Sequence, residues 1–400
     1  MQIERVIANF NKLRNYCEKQ NFKGYDVSDS IASVFIRRTF LGKIPLFRFA
    51  MIQATGHRIA VFNLRPFLFI PKYYNAKGIA LFLNGYCNIY DVLSHKKINI
   101  GISKEECLNK INYLSNLLIS LKSNDYSGAG WGYPTAWQSR SFYFPPNTPT
   151  VVVTSFAVDA LFHSYEITKK EKYKEIALSS ASFILNDLKR TPYKNGFLFS
   201  YSPLNGNDTV YNASLLGGKT LALCYKYSHN PEYIKTAKIC IQTCIDCQRK
   251  DGSWIYGAGK TQKWIDNFHT GYNLDAINEY QNISKDFSFK ENIDNGTKFF
   301  LDNFFDRKDY SPKYFNNKKY PVDIHCCGEL FVILNKLNIF KENRDLANGV
   351  LNWTFNNMQH PQKGYFYFQK RKFITNKTPL MRWSESFMFN ALSYYFKSII

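Results

Sequence analysis

Five segments of this 400-residue chain follow one order of events. An amphipathic helical pattern ends, a loop rich in aromatic residues follows, and a polar residue opens a second, smoother helical pattern. The loops are GAGWGYP (128–134), NGFLFSYSP (195–203), DGSWIYG (251–257), DYSPKYF (309–315) and KGYFYFQ (363–369); only the fourth lacks glycine. The smooth patterns after them begin near 149, 211, 268, 323 and 381, a period of about 55–62 residues. This repeat constrains the fold more than any other feature. Each unit is a helical hairpin that can bury its apolar side only against its neighbours.

The helices predicted over 103–122, 170–189, 231–248, 288–304 and 341–358 carry Lys and Glu on one face and an apolar stripe on the other. The smooth set is small and apolar around the whole barrel, as expected of helices covered on both sides. A sixth smooth helix fits 73–92, and the amphipathic segment 2–20 supplies a sixth outer helix. The expected architecture is all-α: one domain over residues 1–400, an (α/α)6 toroid of six hairpins with short β-hairpin loops at one end. Residues 23–72 interrupt the repeat. ASVFIRRTF and RIAVFNLRPFLFI alternate, which predicts short strands or an irregular insertion packed on the ring.

Apolar residues make up 45% of the chain, enough for a large core, and 34 Phe and 28 Tyr exceed what a core alone needs. The net charge of +21 favours an anionic partner, although lysines scattered over outer helices also serve simply to solvate a surface. No Arg/Lys-rich recognition helix or RNA-binding signature is present, so nucleic acid is not the expected partner. The first twenty residues have no continuous apolar stretch, and no run reaches the roughly 20 apolar residues of a membrane span. The expected location is the cytoplasm, with peripheral contact to the inner membrane face open to the basic aromatic region 34–72. That region holds Arg37, Arg38, Lys43, Arg48, Arg58 and Arg65. The nine cysteines read as reduced thiols. Cys240, Cys244 and Cys247 share one helix face, but no fourth ligand accompanies them, so they read as an apolar stripe and no metal is expected.

In such a ring the long loops gather at the end where the inner helices begin. Helix N-termini there present unpaired N–H groups, and long loops in a compact domain are usually functional. Candidate site residues are therefore those that open the inner helices: Thr154, Asn212, His269, His325 and Glu385.

With its hairpin count and aromatic loops, the chain over about 75–400 resembles the six-hairpin glycosidase-like group and the toroidal polysaccharide lyases and sugar epimerases. QRKDGSW (248–254), and more loosely QHPQKGYF (359–366), is similar to the Q…G-x-W repeat of terpenoid cyclases. In that family the motif ties an outer helix end to the next loop. The protonating D-x-D-D and metal-binding D-D-x-x-D motifs of isoprenoid chemistry are absent. The segment DIHCC (323–327) invites comparison with zinc-binding toroids, but the full ligand pattern is missing. The resemblance implies a glycan-processing enzyme without a cofactor. An isoprenoid-processing toroid and a non-catalytic glycan-binding toroid are the alternatives.

Sugars stack on aromatic faces, and the loops offer Trp131, Tyr133, Trp137, Tyr201, Trp254, Tyr256, Trp264, Tyr365, Tyr367 and Trp383. Two catalytic schemes fit the polar residues. Proton transfer at a uronic-acid carbon, as in lyases and C5-epimerases, would use His269 and Tyr272 as base and acid and His325 as a further base. Asn212, Asn273 and Arg382 would hold the substrate carboxylate. Hydrolysis would instead use two carboxyl groups among Asp266, Asp275, Asp323 and Glu385. On a helix starting near Phe268, the residues His269, Tyr272 and Asn273 share one face. Asp266 would cap that helix or orient the imidazole. The expected substrate is an acidic or lipid-linked oligo- or polysaccharide in surface-polysaccharide metabolism.

Overall fold

The computed structural model describes residues 3–27, 29–53, 63–95, 98–138 and 143–399. Helix α1 (Ile3–Lys19) is followed by α2 (Val34–Arg38) and α3 (Pro45–Ile52) in the insertion. Inner and outer helices then alternate: α4 (Ala76–His95), α5 (Lys104–Ser120), α6 (Val151–Thr168), α7 (Glu171–Ser182), α8 (Tyr211–Ser228), α9 (Pro231–Ile245), α10 (Asn267–Ser284), α11 (Lys290–Asn303), α12 (Ile324–Lys336), α13 (Arg344–Met358) and α14 (Ser386–Ile399). The even-numbered helices from α4 onward pack side by side, and α14 closes on α4. Each odd-numbered helix from α5 lies outside the inner helix before it, and α1 lies against α14 as the sixth outer member. The fold is the (α/α)6 toroid that the repeat predicts.

Burial follows the two patterns. The sequence VVVTSFAVDAL keeps α6 buried around most of its barrel. Helix α9 buries one side, Thr236, Ala237, Cys240, Ile241 and Cys244 with Thr243 and Ile245 beside them. Cys240 and Cys244 press on α8, with Sγ 3.7 Å from the carbonyls of Ser214 and Tyr211. The seam between α13 and α1 is polar: Arg5 donates to Asn352 and Asn356 at 3.1 and 2.6 Å.

Both glutamine loops act as ties. Gln248 Nε2 donates to the carbonyls of Gly252 and Asn292, each at 2.9 Å, and so joins α9 to α11. Gln359 Nε2 donates to Gly364 O at 2.9 Å and to Asn9 O at 3.1 Å, joining α13 to α1. In both loops the glycine has a positive φ, +86° at Gly252 and +78° at Gly364, which a side chain disfavours. A Cβ on Gly252 would also meet Asn295 O at 2.3 Å. Gly252→Ala is expected to cost about 2 kcal/mol of stability in urea unfolding. A change within about 0.5 kcal/mol, the range of ordinary surface substitutions, would contradict this role.

Short antiparallel pairs lie in the loops that lead into the inner helices. They are β1 (Trp137–Gln138) with β2 (Tyr143–Phe144), β3 (Arg190–Tyr193) with β4 (Gly196–Phe199), and the three-stranded β5 (Val322–Asp323), β6 (Gln369–Lys370) and β7 (Thr375–Asn376). The insertion departs from expectation. Among its described residues it holds α2, α3 and two single 3-10 turns in place of strands. Ser33 Oγ accepts from Ile36 N, and Pro45 sits in the first turn of α3. Both are helix-start chemistry, and it overrides the alternation. Residues 58–62 of the second alternating segment, Arg58 included, lie outside the described residues; residues 64–69 form turns held by Leu68 N to Leu64 O and Ile70 N to Arg65 O. A buried Arg65–Asp29 pair at 2.8 Å fastens this turn to residue 29. No helix among the described residues is long and apolar enough to cross a membrane.

Candidate active site

A cavity of about 210 Å³ opens where the inner helices begin. Its walls come from all six inner helices or the turns that open them, with Asp26 and Val27 of the insertion at one side.

Asp266 is the N-cap of α10 and accepts from His269 N at 3.0 Å. Because a capping residue and the third residue after it lie over one another, the same carboxylate reaches the His269 ring. Nδ1 lies 2.7 and 2.9 Å from the two oxygens. Trp264 Nε1 donates to Oδ2 at 2.8 Å, which fixes the carboxylate in place. The Asp266 side chain is fully buried, while His269 keeps 22% of its side chain exposed and lines the cavity. With Nδ1 held by a carboxylate, Nε2 is the nitrogen left to accept a proton from a ligand.

One turn further along α10, Tyr272 also lines the cavity. Its hydroxyl lies 2.8 Å from His325 Nε2 and accepts from Lys77 Nζ at 3.2 Å. Lys77 comes from α4, across the ring. Phe156, Tyr272 and Phe387 rings lie around its Nζ at 4.2 to 5.1 Å. Burial pushes Lys77 well down from its ordinary value, and Arg382 pushes it further. Burial and then Lys77 push His325 well down, which favours the neutral imidazole, whose Nε2 shares one hydrogen bond with the phenol. Burial and then Glu329 hold the Tyr272 phenol well up. Phe268 stacks on His325 at 4.3 Å and 9°, and Phe387 covers it from 3.5 Å. Lysine, phenol and imidazole thus form a hydrogen-bonded chain beside the cavity, one residue from each of three helices.

Arg382 occupies the third side. Its Nε donates to Asp26 Oδ2 at 2.8 Å and its Nη2 to Oδ1, a two-pronged grip. The guanidinium lies 4.7 Å from the Trp383 ring and 5.4 Å from Tyr133. The fork expected to hold a substrate carboxylate is therefore spent on Asp26, while the residue still lines the cavity.

Of the residues singled out from sequence, the cavity gathers His269, Tyr272, His325, Asn212, Arg382, Tyr133, Trp137, Tyr201, Tyr256 and Trp383. Others lie elsewhere. Trp131 and Trp254 are core wedges whose indoles donate to Leu118 O at 2.7 Å and Cys244 O at 3.0 Å, the ends of outer helices. Trp264 stands behind Asp266 and stacks on Tyr256 at 4.3 Å. Tyr365 and Tyr367 pack around His360, outside the ring. Thr154 accepts from Trp131 N, and Asp275 pairs with Lys219 deeper in the ring. Asn273 is buried away from the cavity walls. Glu385 turns outward. A π turn over Met381–Glu385 opens α14, and its carboxylate accepts from Phe366 N at 2.9 Å.

Asp323 is the N-cap of α12. It accepts from His325 N at 3.0 Å, Trp383 Nε1 at 2.8 Å and Gln369 Nε2 at 3.3 Å. It therefore supports Trp383 as Asp266 supports His269, and it does not line the cavity. Burial pushes its carboxyl up to about 7. Between the ordinary 3.8 and about 7 the folded chain holds this proton and the unfolded chain releases it. The stability from this group is full at acid pH and falls as pH rises to about 7. Asp323→Asn is expected to flatten that part of the stability–pH curve, measured by melting curves across the window; an unchanged slope would contradict the assignment.

Sequence reasoning missed Lys77, Phe268, Phe387 and Asp26. A lone lysine in the apolar run of α4 carried a signal, since a charge amid buried positions needs a reason. Nothing local marked the other three.

No protein-family model matches the sequence, and no curated protein matches it. Solved structures do resemble its fold. A sugar epimerase from a ruminal bacterium superposes with a TM-score of 0.61 at 12% identity, over 83% of this chain and 90% of the other. The cellobiose 2-epimerase of Bacillus thermoamylovorans gives 0.62 at 12%, over 82% and 90%. An α-mannanase of glycoside hydrolase family 76 from Bacteroides thetaiotaomicron gives 0.57 at 12%, over 81% and 85%. The chain therefore has the six-hairpin (α/α)6 toroid fold of these carbohydrate-active enzymes.

Proposed function

We propose that the chain is an enzyme that moves a proton at a sugar carbon, of the epimerase, isomerase or lyase type. The observation that carries this reading is the Asp266–His269 pair beside the Lys77–Tyr272–His325 chain on one cavity wall. The His269 and Tyr272 rings stand 6.0 Å apart and perpendicular. His269, oriented by a buried carboxylate, takes a proton from carbon. The phenol, hydrogen-bonded to the Lys77 amine on one side and the His325 imidazole on the other, passes a proton to or from a substrate oxygen. The charge on Arg382 stabilises the oxyanion that forms when a carbon next to a carbonyl or carboxylate is deprotonated.

Other readings have less support. Hydrolysis wants two carboxyl groups flanking the bond. Asp26 is the one carboxylate among the described residues that lines the cavity, and Arg382 and Asn75 occupy it. An isoprenoid site wants a dry apolar hollow, whereas this one holds Lys77, Arg382, Asn212 and two histidines. A passive binding ring gives no reason to hold one imidazole by a carboxylate and bury another against a phenol. The epimerases that share the fold lend further support. A cavity walled by Arg382 and Lys77, in a chain of net charge +21, suits an acidic or lipid-linked glycan.

The test is to incubate the protein with neutral and acidic oligosaccharides and score three products. Exchange of a C–H hydrogen with solvent, or absorbance from a new C=C bond, is expected. New reducing ends without either would overturn the reading in favour of hydrolysis.

A further inference from the structure

Five large hydrophobic side chains among the described residues are more than 70% exposed: Phe40, Leu46, Phe67, Phe69 and Phe373. Four lie in the insertion and the fifth on the tip between β6 and β7. The next most exposed is Phe287, at 55%. Isolated exposed apolar groups need no explanation, but five confined to two segments do.

Charge separates in the same way. Between Asp29 and Asp91 the sequence has eight Lys and Arg and no acid. Between Asp345 and Glu385 it has six and no acid. These two stretches are a quarter of the chain and carry fourteen of its twenty-one net positive charges. They flank each other in space. Gln53, at the end of α3, shares a groove with Gln369 and Arg371 of the β6–β7 tip. The insertion is one lobe: Ser33 Oγ donates to Leu68 O at 2.6 Å, and Arg65 grips Asp29, so the Phe67–Phe69 turn is fixed beside α2. Arg48 lies over the Tyr143 ring at 4.1 Å, which joins α3 to β2, the partner of the strand whose Trp137 lines the cavity.

We propose that the insertion lobe and the β6–β7 tip form a docking surface for an anionic phospholipid bilayer. Phe40, Leu46, Phe67, Phe69 and Phe373 enter the interfacial layer, while Arg37, Arg38, Lys43 and Lys372 meet the headgroups. A second copy of this chain fits poorly, because cations would face cations. Asp26 and Val27, at the root of the lobe, line the cavity, so docking brings the cavity mouth to the lipid surface. The surface rests on exposure and charge alone and stands whether or not the cavity performs proton transfer.

Flotation of the whole protein with vesicles tests this. Binding is expected to phosphatidylcholine vesicles containing about one-third phosphatidylglycerol, and not to phosphatidylcholine alone. The variant combining Phe67→Ser, Phe69→Ser and Phe373→Ser is expected to bind about tenfold more weakly with an unchanged melting temperature. Lys372→Glu with Arg37→Glu is expected to do the same. Lys235→Glu with Lys172→Glu makes the same charge change on outer helices α9 and α7 and is expected to bind as the parent does. Failure to bind the anionic vesicles, indifference to the phenylalanine changes, or equal weakening by the outer-helix pair would each overturn the proposal. So would preferential binding of a short RNA over the vesicles.

Discussion

Replacing His269 by alanine is expected to lower turnover by about 10²–10⁴-fold, the usual contribution of a positioned general base. The fold should survive, because the side chain is partly exposed and the helix start is capped by Asp266 through backbone His269 N, which alanine retains. Asp266→Asn tests the orienting role. Asparagine also caps helices well, so stability changes little, yet the amide cannot stabilise the imidazolium as the carboxylate does. Turnover is expected to fall by less than in His269→Ala, because the base remains but its orientation is less firmly held. Full activity in His269→Ala would remove the base from the proposed reaction.

The largest effect on stability is expected beneath the cavity. Lys219 is buried in α8, with Nζ 2.9 Å from Asp159 and 2.7 Å from Asp275. Lys336 stands 3.8 Å from Asp275 and 3.9 Å from Asp159. Four residues from four inner helices thus meet inside the ring. Lys219→Met leaves two carboxylates facing each other with only Lys336 as counter-charge. Breaking such a pair costs about 3–5 kcal/mol when fully buried. The partial exposure of Asp159, at 27%, places the expectation at the lower end, about 3 kcal/mol in urea unfolding. Lys219→Met with Asp275→Leu is expected to be milder than Lys219→Met alone, because one unpaired charge is gone. A loss below about 1 kcal/mol in the single variant would show that the cluster is solvated.

The ring was legible because its signals are local and repeated. Helical period and loop composition recur five times and the 55–62 spacing four times, and the glutamine loops repeat one hydrogen-bond pattern around Gly252 and Gly364. The insertion was misread because its alternation occurs once, with no neighbour to cross-check it against Ser33 and Pro45. At the site, His269, Tyr272 and Asp266 could be placed together because one helix turn relates them. Partners from other helices could not. Lys77 is nearly two hundred residues from Tyr272. Glu385 sits where a regular helix start would face it inward, and the π turn over Met381–Glu385 rotates it out toward Phe366. Loop aromatics divide by a physical criterion invisible in sequence. Trp131 and Trp254 donate to the carbonyls of the outer helix before them and are drawn into the wall, whereas Trp137 and Trp383 reach the cavity.

The cavity is expected to exchange a carbon-bound proton of a sugar through His269. The most direct test is mass spectrometry of a responsive oligosaccharide recovered from deuterated water, with the parent protein and with His269→Ala run side by side. The account predicts a gain of one deuterium at a carbon position with the parent and none above background with the variant. No gain with any sugar that the parent converts, or an equal gain with both proteins, would contradict it.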